Sequence, residues 1–159
     1  MPQREFKTEI TIEQPIEKVF AFFSEAKNLE TITPPWLNFK ILSQSTEQIQ
    51  KNTLFEYRLR IHGINTRWVT RISEWNPPHF FVDEQTVGPY ALWRHTHSFE
   101  SLENSKTFMK DIVQYELPFG KLGDLLAHWK VKSDIRSIFA YREKSFTSKN
   151  QSLFESNGF

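Results

Sequence analysis

The sequence has no cysteine and only 5 glycines among its 159 residues. Without cysteine, a disulfide framework and a thiolate zinc site are both excluded. No stretch approaches the ~18 consecutive apolar residues of a membrane-spanning helix. The N-terminus also lacks the apolar run of a signal peptide. We therefore expect a cytoplasmic protein without integral membrane association.

An excess of one charge sign is also missing. The chain has 20 basic and 19 acidic residues, which gives a formal net charge of +1. A nucleic-acid-binding domain usually has a strongly basic surface, and no polybasic run or aromatic RNA-binding motif is present. The sequence therefore predicts no nucleic-acid partner, and we expect no cofactor.

Aromatic side chains, in contrast, are abundant at 15% of the chain, with 15 Phe and 5 Trp. The length suits a single domain with one core. Residues 1–146 are predicted to form this domain, and residues 147–159 a polar, flexible tail. So many large rings exceed the packing needs of a small core. We interpret them as the wall of a cavity, with an ordinary filled core as the alternative.

The hydrophobic periodicity predicts an α+β fold. Alternating residues predict a first strand over Arg4–Ile12. Two short helices follow, one beginning at Pro15 and one near residues 28–31. Six further strands joined by short turns then give an antiparallel sheet of about seven strands. A long helix over about residues 122–144 is the only element large enough to cover the apolar face of that curved sheet.

The clearest hairpin joins the strands on either side of His62-Gly63. A two-residue turn there pairs Tyr57 with Trp68 and Phe55 with Thr70, so that one face is apolar or Thr throughout. The opposite face carries four arginines, Arg58, Arg60, Arg67 and Arg71. We interpret this arginine face as solvated sheet surface. A transient contact with an anionic membrane or a protein is the alternative.

Several short motifs together carry a family resemblance. They are PIEKVF at 15–20, TPPW at 33–36, GPY at 88–90, WxHxHxF at 93–99 and YxLPFG at 115–120. Their order and spacing resemble the START-related SRPBCC superfamily, in its polyketide cyclase-like branch, over about residues 6–144. The resemblance implies a helix-grip fold with a hydrophobic cavity between the sheet and the C-terminal helix. It also implies lipid, sterol, hormone, quinone or polyketide ligands, with enzymes as a minority.

Polar residues concentrate on one face of a predicted strand. Trp93, His95 and His97 share that face because alternate residues of a strand point the same way. If the next turn centres on Glu103, His95 lies opposite Asp111. Asp111 and Tyr115 then share the inward face.

The preceding hairpin places a further carboxylate near this face. A turn at Gly88-Pro89 puts Glu84 near Trp93 and Val82 near His95, both inward. A longer turn would put Asp83 there in place of Glu84.

This polar group has three interpretations. The histidines and Asp111 could satisfy each other and fix strand register. They could bind the polar head of an apolar ligand. They could also act as catalytic acids and bases, with His95, His97 and Asp111 as candidates, or hold a metal through His-x-His and a carboxylate. We predict no metal site and leave the catalytic residues unassigned.

The sequence therefore predicts a non-enzymatic binder or carrier of a small hydrophobic molecule, such as a lipid, a polyketide or an isoprenoid-like compound. An aromatase or cyclase-type enzyme using His95 and Asp111 is the runner-up. An interaction module with a filled, inert cavity is the third alternative. The predicted ligand-binding residues are Phe55, Tyr57, Trp68, Val82, Glu84, Trp93, His95, His97, Asp111, Tyr115, Leu126 and Trp129.

Overall fold

The computed structural model describes residues 3–146 and 152–155. The described residues form seven strands and four α-helices, with short 3-10 helical turns at Pro35–Leu37 and Glu103–Ser105. The strands are β1 (Arg4–Ile12), β2 (Lys40–Gln44), β3 (Leu54–Ile61), β4 (Ile64–Asn76), β5 (Phe80–Val87), β6 (Leu92–Leu102) and β7 (Lys106–Glu116). The helices are α1 (Ile16–Phe23), α2 (Lys27–Thr31), α3 (Gly120–Ser145) and α4 (Ser152–Glu155).

All seven strands form one antiparallel sheet in the order β1-β7-β6-β5-β4-β3-β2. The two edge strands, β1 and β2, are consecutive along the chain, and α1 and α2 lie in the connection between them. The long helix α3 follows the last strand. The predicted α+β helix-grip architecture is therefore confirmed, including the two short helices after the first strand.

Two groups of buried side chains hold the sheet to its helices. The larger is built on α1, where Val19 and Phe20 are buried and the Phe20 ring contacts those of Phe81 and Phe99. In the smaller group, Ile135 and Phe139 of α3 pack against β7. Burial of each such side chain contributes about 1.5–3 kcal/mol. The C-terminal half of α3 is thereby fixed over the sheet.

The register of the β3–β4 hairpin agrees with the prediction, with Tyr57 opposite Trp68 and Phe55 opposite Thr70.

The arginine face is partly neutralised by carboxylates. Arg67 pairs with Glu56, with its Nε 2.8 Å from Oε1, and Arg71 Nη2 lies 3.3 Å from Glu84 Oε2. This pairing weakens the alternative of an anionic partner at the arginine face.

The N-terminal half of α3 differs from the prediction. Leu126 and Trp129 were expected in the cavity wall, but their side chains are 67% and 64% exposed. They lie on the helix side opposite Ile135, which is buried against the sheet. Asp124 fixes this orientation by accepting hydrogen bonds from Arg4 at 2.5 and 2.6 Å. The predicted place of Leu126 and Trp129 in the wall is therefore wrong.

Most of the predicted tail, residues 147–159, lies outside the described residues. Within it, α4 brings Phe154 against the rings of Phe22 and Phe146, with centroid distances of 5.3 and 5.9 Å. The division into a domain and a flexible tail stays a prediction.

Candidate ligand-binding cavity

A cavity of about 560 Å³ lies between the sheet and the C-terminal half of α3. Cavities that bind small organic molecules have volumes of about 300–1,000 Å³. Its walls are mostly aromatic and aliphatic. Among the predicted wall residues, Phe55, Tyr57, Trp68 and Trp93 line it, together with His95 and His97. The cavity is therefore large enough for a small apolar molecule.

Three other predicted residues lie elsewhere. Val82 is buried but does not line the cavity. Tyr115 is buried in the smaller core with Ile135 and Phe139. Asp111 is buried behind the two histidines rather than in the cavity wall.

The predicted inward position of Glu84 is wrong. In the β5–β6 pair Asp83 lies opposite His95 and Glu84 opposite Arg94, so Glu84 takes the outer face and pairs with Arg94. The connection is longer than the predicted two-residue turn, because β5 ends at Val87 and β6 begins at Leu92. A shift of one residue exchanges the two faces of a strand. Asp83 therefore takes the inward place predicted for Glu84.

The β6–β7 register is shifted by two residues from the prediction. His97 lies opposite Asp111 and His95 opposite Val113. The turn centres on Asn104, which has a left-handed conformation with φ 60°, and not on Glu103. A shift of two residues leaves every side chain on its predicted face. Both histidines and Asp111 therefore still meet.

The His–Asp cluster consists of Asp83, His95, His97 and Asp111. His95 Nε2 is 2.7 Å from Asp111 Oδ1, and His97 Nε2 is 2.7 Å from Asp83 Oδ2. His97 Nδ1 lies 3.0 Å from the same Asp111 oxygen, but it has no aligned hydrogen bond there. The two imidazole centroids are 3.6 Å apart. Three adjacent strands are thus joined through side chains.

The carboxyl groups of this cluster are held ionised. Burial raises the pKa of Asp111, but the hydrogen bond with His95 and the nearby charge of His97 outweigh it and hold that pKa well below its ordinary value. Burial also raises the pKa of Asp83, and the hydrogen bond with His97 and the charges of His95 and His97 bring it below its ordinary value. Both side chains are therefore carboxylates at neutral pH.

The two histidines are shifted in opposite directions. Burial and the nearby charge of His97 lower the pKa of His95. Burial also lowers the pKa of His97, but its interactions with Asp111 and Asp83 exceed this and raise it. The cluster thus holds a neutral imidazole beside one that favours the protonated form.

Arg142 of α3 completes the site, and the sequence reasoning missed it. Its side chain is only 11% exposed, its Nη1 is 4.0 Å from Asp111 Oδ1, and its guanidinium lies 5.2 Å from the Phe139 ring centroid. It lines the cavity, yet its buried Nε and Nη1 have no hydrogen-bond partner among the described residues. Spacing of three and seven residues from Phe139 and Ile135 was the signal that could have placed it on the inward helix side.

A metal ion could be held by three of these residues. Asp83, His95 and His97 each offer a ligand atom, and those atoms lie within 4.8 Å of one another. Asp111 would orient both imidazoles from behind. With His97 protonated, however, the charges of His97 and Arg142 balance those of the two carboxylates. In that protonation state, the His–Asp cluster and Arg142 together carry no net charge without a metal ion.

Comparison with known proteins identifies the family. Residues 12–138 match the model of the family described as polyketide cyclase / dehydrase and lipid transport. The chain belongs to this family. Membership supports ligand binding or cyclase-type chemistry in general. No curated protein matches the sequence.

Several solved structures share the fold. An aromatase/cyclase from a Streptomyces species is 13% identical, with a TM-score of 0.67, and the match covers 98% of this chain and 93% of that one. A START superfamily protein from Mycobacterium smegmatis is 13% identical, with a TM-score of 0.64 over 89% and 96% of the two chains. Norcoclaurine synthase from Thalictrum flavum is 10% identical, with a TM-score of 0.67 over 90% and 86%.

In residues 3–146 and 152–155, no helix has both the length and the apolar character needed to cross a bilayer.

Proposed function

We propose that the protein binds a small, largely apolar molecule whose oxygen atom accepts a hydrogen bond from Arg142 beside the His–Asp cluster. The observation that carries the proposal is the buried guanidinium facing an aromatic cavity, because its Nε and Nη1 have no hydrogen-bond partner among the described residues. A buried donor without a partner costs about 1–3 kcal/mol, and more when it is charged. A ligand oxygen would remove this cost.

The aromatic part of the cavity wall suits the apolar part of such a ligand. Phe55, Trp68 and Trp93 supply ring surfaces, and burying apolar ligand area contributes about 25 cal/mol per Å² before association costs. A guanidinium has donors and no acceptor, so it selects a carbonyl, carboxylate or phenolate oxygen over an ammonium group. The ligand class is thus an apolar oxygen compound.

A probe-binding experiment tests the proposal. Displacement of a fluorescent naphthalene dye would be measured with decanoate, 2-undecanone, undecane and decylamine. We expect Arg142→Met to weaken the binding of decanoate and 2-undecanone by about tenfold, because one charged hydrogen bond is lost. The binding of undecane should be unchanged. Arg136→Met, an exposed position on the same helix, is the control.

Two results would contradict the proposal. One is the absence of dye binding together with the absence of any small-molecule adduct in native mass spectrometry of the purified protein. The other is an equal loss of all four probes in Arg142→Met, which would indicate collapse of the cavity rather than loss of a specific contact.

A cyclase-type enzyme is the second candidate, and the opposite pKa shifts of His95 and His97 favour it. Neighbouring groups with separated pKa values are the usual arrangement for an acid and a base. Neutral His95 would take a proton from the carbon next to a carbonyl, and Arg142 would stabilise the enolate oxygen. Turnover of a poly-β-keto substrate that is lost in His95→Ala, with dye binding retained, would support this candidate.

A further inference from the structure

A row of large apolar side chains at the start of α3, including the residue just before it, faces solvent. The exposed apolar face, as we define it, consists of Phe119, Leu122, Leu125, Leu126 and Trp129, which are 64–87% exposed. Successive helix residues are rotated by about 100°, so spacings of three, four and seven place the last four in one continuous stripe. Monomeric proteins rarely expose so large a contiguous apolar area unless it contacts a partner or a membrane.

The orientation of the helix keeps this face outward. The Arg4 guanidinium forms two hydrogen bonds with Asp124, at 2.5 and 2.6 Å, on the opposite side of the helix. Further along α3, Ile135 and Phe139 are buried against β7. Turning the stripe inward would break the ion pair and expose both of those side chains. The face is therefore a permanent surface of the folded protein.

Positive charge flanks the stripe. Lys121, Lys132 and Arg136 are exposed, and none has a carboxylate partner among the described residues. The two acidic residues of this stretch are already engaged, because Asp124 binds Arg4 and Asp134 binds Lys130 and His62. The uncompensated charge beside the apolar stripe is therefore cationic.

We propose that the exposed apolar face docks on the surface of an anionic lipid bilayer. A helix side with Leu and Trp, bordered by Lys and Arg, is typical of helices that lie in the bilayer interface. The Trp129 ring suits the boundary between headgroups and acyl chains. A second copy of the chain is disfavoured as the occupant because it would bring the same cations together.

Docking would also place the cavity beside the bilayer. Lys130 and Asp134, adjacent to the stripe on α3, line the cavity together with His62 of the β3–β4 turn. An apolar molecule could then pass between membrane and cavity with little exposure to water. The docking proposal stands without the ligand proposal, since it rests on the outer side of the helix.

Vesicle co-sedimentation tests the docking proposal. The purified chain would be mixed with vesicles of phosphatidylcholine alone or with about a third phosphatidylglycerol. We expect binding to the anionic vesicles only, weakening with added salt because surface charge is screened. The double variant Leu125→Ser/Trp129→Ser should lose about tenfold or more in partitioning, since two buried apolar contacts are removed.

Matched controls keep this test specific. Leu42→Ser/Leu102→Ser removes two exposed apolar side chains elsewhere and should bind vesicles like the wild type. Lys121→Glu/Lys132→Glu should abolish the preference for anionic vesicles. Thermal unfolding would verify that all variants are folded.

The proposal is overturned if anionic vesicles do not bind the wild type, or if both double serine variants lose binding equally. It is also overturned if sedimentation velocity shows a wild-type dimer that Leu125→Ser/Trp129→Ser dissociates, because the occupant is then a second copy. None of these results depends on ligand binding in the cavity.

Discussion

Asp111 is the residue on which the candidate site depends most. A single carboxylate oxygen lies 2.7 Å from His95 Nε2 and 3.0 Å from His97 Nδ1, and Arg142 Nη1 lies 4.0 Å from it. Its own strand, β7, is also paired with β1, where Thr8 lies opposite. Because the carboxylate is buried, its charge must be met by these cationic and donor groups. Asp111 therefore links strand pairing to the electrostatics of the cavity.

Asp111→Asn should lower the free energy of unfolding by about 3 kcal/mol, because it leaves buried cationic groups without their counter-charge. Urea denaturation at pH 7 measures the change. Glu9→Gln is the control, since its carboxylate is exposed and 3.7 Å from Lys110, and it should cost less than about 1 kcal/mol. A loss for Asp111→Asn no larger than that of the control would contradict the electrostatic role.

The histidines give stability a defined pH dependence. The pKa of His97 is raised in the folded state, so its contribution is complete below 6.5 and is lost as the pH rises through the folded value. The pKa of His95 is lowered, so its contribution is present above 6.5 and is lost as the pH falls below it. Around these groups lie Asp83, Asp111 and Arg142.

We therefore expect wild-type stability to fall as the pH is raised from neutral, and His97→Gln to remove that fall. Urea denaturation at several pH values between 6 and 9 measures both slopes. His79→Gln, at an exposed position outside the cluster, should keep the wild-type slope. An unchanged slope in His97→Gln would show that another group titrates.

At the level of elements, the two halves of α3 have different surroundings. Its C-terminal half covers the sheet with Ile135 and Phe139 and supplies Arg142 to the cavity. Its N-terminal half presents Leu125 and Trp129 to solvent. The position of the first helical turn of α3 affects both halves, because a rotation of that turn about the helix axis would rotate the whole helix.

Gly123 sets that placement. A Cβ atom at this position would lie 1.9 Å from the backbone oxygen of Pro118. Gly123→Ala should therefore destabilise the protein by about 1–3 kcal/mol, as other overpacked sites do, although Ala favours helix elsewhere. Thermal and urea unfolding measure it, with exposed Ser133→Ala on the same helix as the neutral control. A stabilised Gly123→Ala would contradict the close approach.

For the whole molecule, the sheet and the long helix together enclose the cavity. The sheet and the C-terminal half of α3 leave about 560 Å³ between them. Aromatic residues of β3, β4 and β6 line this space, and the His–Asp cluster with Arg142 supplies its polar part. The molecule therefore combines an apolar container with a small set of fixed polar groups, the usual composition of a ligand site.

Filling the cavity should reduce binding while retaining the fold. Ile138 lines the cavity from α3, and Ile138→Trp would place a large ring in that space. We expect at least about tenfold weaker binding of the naphthalene dye, because little apolar ligand area can then be buried. Ile112→Trp, on a half-buried residue outside the cavity lining, is the control. Undiminished binding in Ile138→Trp would mean that the dye binds elsewhere.

The sequence by itself determined much of the architecture. Alternation in Arg4–Ile12 and across the His62-Gly63 turn specified strands, faces and one register, because period-two patterns directly reflect which side chains are buried. The meeting of His95, His97 and Asp111 also followed from that parity. The two-residue shift in the β6–β7 register did not change the predicted face of any side chain, since the faces of a strand repeat every second residue.

Only the tertiary structure decided the rest. The length of the β5–β6 connection placed Asp83 rather than Glu84 on the inner face, and the short segment Gly-Pro-Tyr-Ala at 88–91 does not by itself specify that length. Arg142 lines the cavity although it was not predicted to, and Trp129 faces solvent although it was predicted in the wall. Both differences arise because the rotation of α3 is set by its packing on β7 and by the Arg4–Asp124 pair. A helix that is apolar on two sides does not specify from its own sequence which side is buried; the surface that it meets does.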